Sequence, residues 1–155
     1  MSTSQPSGKP HKDFKEAIDR LEAEVTASPE KFASWVQLGN LYYDAEQPQK
    51  AIAAYTKSLE HHSGSADLFT DLGNMYRAVK DFDKAVASFD KARTMDARHQ
   101  QSRFNKGIVL LYDKGDVNGA IASWQELLAI NPEAQTADGH TVKEMIAELQ
   151  SQSKK

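Results

Sequence analysis

Trp35-Val36-Gln37-Leu38-Gly39-Asn40-Leu41-Tyr42 recurs 34 residues later as Phe69-Thr70-Asp71-Leu72-Gly73-Asn74-Met75-Tyr76. After a further 34 residues it returns, more worn, as Arg103-Phe104-Asn105-Lys106-Gly107-Ile108-Val109-Leu110. Each copy is followed by an alanine and, four residues on, an aromatic: Ala51 and Tyr55, Ala85 and Phe89, Ala120 and Trp124. Self-similarity at this period predicts stacked helix-pair repeats, an all-α solenoid in which each unit buries its apolar face against its neighbours. Such arrays work through a broad concave surface rather than a reactive cleft.

The pattern extends outward on both sides. Phe14, Ala17, Ile18, Leu21 and Val25 share one helical face. Ala17 aligns with Ala51, Leu21 with Tyr55 and Pro29 with Ser63, so residues 12–29 read as a lone second helix, a half repeat that covers the first full unit. Full units are expected over 32–65, 66–99 and 100–133. Pro48 suits the first turn of a second helix, where a missing N–H costs little, and Gly64 suits a stop. The third unit holds one extra residue: Gly107 to Ala120 spans 13 positions, against 12 from Gly39 to Ala51 and from Gly73 to Ala85. That residue is expected in the Asp113-Lys114-Gly115-Asp116 turn, because loops tolerate insertion. Asn131-Pro132 closes the unit, and Thr141-Val142-Lys143-Glu144 has the form of a capping box opening a terminal helix over 139–150. Residues 1–11 are too polar to bury anything and read as a disordered leader.

A glycine inside a helix costs about 1 kcal/mol against alanine, so three at matching positions need a packing reason. Close approach of two antiparallel helices supplies it. Gly39, Gly73 and Gly107 are expected to meet the small residues Ala51, Ala85 and Ala120, with Leu38, Tyr42, Tyr55, Leu72, Tyr76, Phe89 and Trp124 filling the space beside them. Ser58 and Ala92 are small where a following repeat would pack. Leu127 takes that place in the third unit, which suits an array ending on a different element.

Composition excludes several function classes. The 155 residues carry a net charge of −3 with signs intermixed, not the basic stripe of a nucleic-acid binder. Cysteine is absent, which removes disulfides, thiolate metal sites and cysteine nucleophiles. No stretch is long and apolar enough to insert into a membrane, and the N-terminus lacks the apolar core of a secretory signal. The adjacent pair His61-His62 projects to different helix faces and offers no spaced metal-ligand pair. Gly107 to Gly115 lacks the Gly-Lys-Ser/Thr of a phosphate loop, and the serines have no local base. Neither an enzyme nor a metal or cofactor site is expected.

Trp/Phe-x2-Leu-Gly-x2-Tyr followed by Ala-x3-aromatic, with Pro132 closing the last unit, resembles the tetratricopeptide repeat family over roughly residues 13–133. The resemblance implies an α-solenoid that binds proteins or extended peptides without catalysis. It also implies that the first helix of each repeat lines a concave groove. Carried onto this chain, that face holds Val36, Asn40 and Tyr43, then Thr70, Asn74 and Arg77, then Phe104, Ile108 and Leu111, with Ala33, Asp67 and Gln101 at its start. Asn40 and Asn74 can hold a peptide backbone whatever its side chains, Arg77 can take a carboxylate bidentately, and the third set makes an apolar end.

One subset of the family grips the C-terminal carboxylates of chaperone tails with Lys, Asn and Arg. Asn40 matches one such position, but Val36, Asp71, Gln101 and Asn105 stand at the others. The cations are gone, so such tails are not the expected partner. The segment Ala137–Lys143 and the third unit are similar to small bacterial members of the family, some of which carry a membrane anchor facing the periplasm. The expected role is therefore a scaffold or adaptor, cytoplasmic as written or the periplasmic part of an anchored protein. The alternative is self-assembly into weak homo-oligomers through the groove or the terminal helix.

Overall fold

The computed structural model describes residues 11–154, with side chains from residue 14. The leader expected at the N-terminus lies, up to residue 10, outside the described residues. Among these the regular secondary structure is helix, apart from one isolated antiparallel bridge between Gln135 and Thr141. It divides into two compact units, Met1–Ser63 and Gly64–Lys155.

The first unit contains α1 (His11–Ala27), α2 (Phe32–Asp44) and α3 (Pro48–Ser58). α1 buries Ile18, Leu21 and Val25, the face read from the sequence. Leu38 and Tyr42 of α2 and Ala51, Ala54 and Tyr55 of α3 are also buried, with Ala51 fully so. Two carboxylates of α1 hold α2 in place. Glu24 accepts from the Ser34 hydroxyl at 2.9 Å, and Glu22 accepts from the Tyr42 phenol. Burial, then the bond to Glu22, push the Tyr42 phenol well above its usual range. Pro48 opens α3 at its first turn.

The second unit contains α4 (Ala66–Ala78), α5 (Phe82–Met95), α6 (Gln100–Ile108), α7 (Val117–Ile130) and α8 (Val142–Gln152). A side chain caps each N-terminus. Ser65, Asp81, His99 and Asp116 accept from the backbone N–H three residues on, satisfying donors that a helix start leaves without partners. Thr141 and Glu144 form the reciprocal capping box that their spacing announces. Residues 139–141 stay outside α8 because Gly139 turns left-handed (φ 88°) and Thr141 is the cap. Leu127 packs with Trp124, Ala134, Val142 and Ile146, so the larger residue at this position meets the terminal helix.

Two expectations are corrected. The repeated glycines meet the aromatic of the second helix rather than its alanine. A methyl group on Gly39 would stand 2.6 Å from the Tyr55 ring, one on Gly73 would stand 2.5 Å from Phe89, and one on Gly107 would enter the indole of Trp124. The ring takes the room that a Cβ would fill. Ala51, Ala85 and Ala120 are small because they too are fully enclosed, each at 0% exposure.

The extra residue of the third repeat lies in the helix, not in the turn after it. The left-handed turn residue precedes the conserved-register alanine by the same interval each time: Glu46 (φ 57°), Lys80 (φ 65°) and Gly115 (φ 67°) stand five positions before Ala51, Ala85 and Ala120. The surplus therefore falls upstream, where the backbone widens into a π-helical turn over Val109–Asp113. The Lys114 N–H reaches the Val109 carbonyl at 3.1 Å. A π-turn absorbs one residue without breaking the helix.

The worn third copy is repaired by charge. Arg103 stands where Trp35 and Phe69 stand and is only 8% exposed. It donates to the His99 carbonyl (2.7 Å) and pairs with Glu126 (3.5 Å). Lys106, in the place of Leu38 and Leu72, pairs with Asp90 at 2.7 Å. Arg93 joins Glu126 at 2.8 Å, and that bond raises the guanidinium pKa above its usual value.

Candidate functional site

In the second unit, α4 and α6 bring a row of carboxamides together. Gln101 and Asn105 lie four apart on α6, one helical turn, and so share a face. The Gln101 amide donates to Asn105 Oδ1 at 2.7 Å, and the Asn105 amide donates to Asn74 Oδ1 on α4 at 2.8 Å. Asn74 and Asn105 are half-buried and Gln101 is exposed. Each carboxamide offers two N–H donors and an oxygen with two lone pairs, so the bonds that fix Gln101 and Asn105 leave hydrogen-bonding capacity on both.

Charged pairs flank this row. Arg77, at the end of α4, donates through Nε to Asp113 Oδ2 at 2.6 Å, and Asp113 is the last residue of the π-turn. The carboxylate expected from a ligand is thus met first by one of the chain's own. Toward the other end, His99 Nδ1 accepts from the Ser102 N–H at 3.2 Å, which leaves Nε2 to donate to Asp67 at 2.8 Å. The first contact ties α4 to the end of the π-turn, and the second ties it to the N-cap of α6.

The remaining expected groove residues fall in several environments. Thr70 is buried, and its hydroxyl donates to the Ala66 carbonyl of its own helix at 2.8 Å. Phe104, Ile108 and Leu111 are half-buried against the cluster of Trp124, Leu127, Ala134, Val142 and Ile146. In the first unit, Asn40 is exposed and accepts from the Tyr55 hydroxyl at 2.7 Å, while Val36 and Tyr43 are half-buried on the same helix. The equivalent asparagines therefore have different partners, because Phe89 lacks the hydroxyl that Tyr55 offers.

Asn105, weighed in the sequence only as a position where a chaperone-tail cation is missing, joins this face, and its i, i+4 spacing to Gln101 is the signal for it. Tyr112, on the π-turn, is 67% exposed, the most exposed of the described large hydrophobics. Among the described residues no group of three His, Asp or Glu side chains is placed to hold a metal ion. None of the described helices is long and apolar enough to cross a membrane.

Two family models described as tetratricopeptide repeat match residues 30–98 and 70–135. The chain belongs to the tetratricopeptide repeat family. MamA, a solved structure, is 20% identical, with 92% of this chain and 80% of that chain covered at a TM-score of 0.81. YrrB, described as a tetratricopeptide repeat protein with an unusual peptide-binding site, is 17% identical over 92% of this chain and 71% of its own, with a TM-score of 0.74. These likenesses show the all-α solenoid fold. Among curated relatives, anaphase-promoting complex subunit 3 of Schizosaccharomyces pombe is 22% identical over 79% of this chain and 18% of its own length. Protein O-mannosyl-transferase TMTC3 of Homo sapiens is 27% identical over 86% of this chain and 15% of its own length. The chain thus spans less than a fifth of the curated relatives named here. The tetratricopeptide repeat is in general a non-catalytic scaffold that presents binding surface, although TMTC3 is named a transferase.

Proposed function

We propose that this tetratricopeptide repeat chain is an interaction module that binds an extended segment of a protein partner along the face made by α4 and α6. The observation that supports this most is the hydrogen-bonded row Gln101–Asn105–Asn74. Its amides are held in place before any ligand arrives, so a peptide backbone meets donors and acceptors whose ordering cost is already met. Arg77 and Asp113 set a charged end to the row, and exchange of that internal pair for a ligand carboxylate would add selectivity. YrrB's description as a peptide-binding member of the family gives the same direction.

The test is affinity capture from the source cell with the wild type beside Asn74→Ala/Asn105→Ala. Recovery of one partner by the wild type, reduced at least severalfold in the double variant with the melting curve unchanged, supports this face. Equal recovery by both would place binding elsewhere. Recovery of the chain's own copies alone would favour the self-assembly alternative.

A further inference from the structure

Beside the α4–α6 face, the second unit holds a cleft of about 340 Å³ between α6, α7 and the segment 131–142. Phe104, Leu127 and Val142 form apolar parts of its lining, and the carboxamides of Gln100, Gln101 and Asn131 lie around them. No lining residue carries an ionisable side chain. Asn131 donates to Gln100 at 2.9 Å, so two of these amides are fixed across the opening between α6 and the end of α7.

One wall is a piece of β-structure. Gln135 and Thr141 form an antiparallel bridge whose hydrogen bonds are made by their neighbours: Thr136 N–H to the His140 carbonyl at 2.8 Å, and Val142 N–H to the Ala134 carbonyl at 2.9 Å. That is the non-hydrogen-bonded type of pair. In it the N–H and C=O of Gln135 turn away from Thr141, to the open edge of the two-stranded piece. An open edge is a template for another extended chain.

We infer that this cleft binds an uncharged, extended peptide segment, which pairs with the N–H and C=O of Gln135 and seats one apolar side chain against half-buried Phe104, above the buried Leu127 and Val142. The occupant is extended because the edge offers a donor and an acceptor on one residue. It is uncharged because a buried charge in this lining would meet no counter-charge. The apolar side chain matches the floor, and the amide rim matches the flanking peptide groups. The cleft shares Gln101 with the row on α4 and α6, whereas Leu127, Val142 and the edge at Gln135 belong to other elements, so those three residues distinguish the two sites.

The probe is a pool of capped pentapeptides with Leu, Ile, Val, Met or Phe at the centre and Ser, Thr, Asn or Gln around it, added to the full chain and followed by backbone-amide and methyl NMR. The expected result is a set of shifts at Gln135, Leu127 and Val142, with binding at least severalfold weaker when the flanks are Asp or Lys. Gln135→Pro removes the edge donor but none of the bridge's own bonds, and predicts roughly tenfold weaker binding. Gln135→Ala keeps the backbone and should bind within about twofold of wild type, because the contact is to the main chain. Ala137→Trp, at an exposed lining position, fills the cleft without touching the core and should abolish the shifts. No shift at Gln135, Leu127 and Val142, or equal binding by the Pro and Trp variants, overturns the inference. Shifts confined to Asn74, Arg77 and Asn105 would overturn it while leaving the α4–α6 reading intact.

Discussion

The Phe89 ring occupies the place where a side chain on Gly73 would begin: a Cβ there would stand 2.5 Å from the ring. Gly39 with Tyr55, and Gly107 with Trp124, repeat the relationship. Gly73→Ala should therefore destabilise by about 2 kcal/mol, although alanine is the better helix former. Gly73→Leu should unfold the second repeat. Phe89→Leu makes room at its own cost in burial, so the double variant Gly73→Ala/Phe89→Leu should lose less than the sum of the two, by about 1 kcal/mol. Urea unfolding of the four proteins measures this, and strictly additive losses would contradict the contact.

Glu46 and Lys80 adopt the left-handed conformation that Gly115 adopts without strain. Lys80→Gly should be neutral or stabilising by up to about 1 kcal/mol, and Gly115→Ala destabilising by about the same amount. Nothing lies within 4 Å of a Cβ built on Gly115, so the effect would come from the backbone and not from a clash. Thermal melts of both variants give the signs.

Tyr42 links the pH of the solution to the first unit. Its folded-state pKa is raised by burial and by Glu22, so the fold favours the protonated phenol. The resulting stability is complete below the unfolded-state value, about pH 10, and is lost as pH rises beyond it. Tyr42→Phe should cost about 1 kcal/mol at neutral pH through the lost hydrogen bond. It should also decline less between neutral and strongly alkaline pH than the wild type. Parallel alkaline profiles would contradict the assignment.

The π-turn predicts an unusual tolerance. Deleting Tyr112, which is 67% exposed, restores the spacing of the first two repeats and lets Val109–Asp113 rewind as α-helix. The loss should stay within about 1 kcal/mol, since no buried side chain is removed. Leu110→Ala, which truncates a side chain only 7% exposed, should cost more, about 2–4 kcal/mol.

Much of the fold is legible in the sequence because period, caps and apolar faces are local properties. The glycine and aromatic positions declared a close helix crossing, and Thr141 with Glu144 declared the start of α8. What faces each glycine was not legible: spacing puts both an alanine and an aromatic within reach, and only packing chooses between them. Spacing likewise counts the extra residue of the third repeat without saying whether helix or turn absorbs it. The Arg77–Asp113 pair depends on that choice, since Asp113 ends the widened turn. The candidate face was legible as a helix face around Asn74. The bond from Asn105 was not, because it crosses between two helices whose relative register no local pattern sets.

If the α4–α6 face meets the partner, a photo-crosslinking residue at Asn74 or at Asn105 should capture it in the source cell, with Asn118 on the exposed surface of α7 as control. One discrete partner adduct is expected from positions 74 and 105 and none from position 118. An adduct from position 118 with none from positions 74 and 105 would place binding elsewhere.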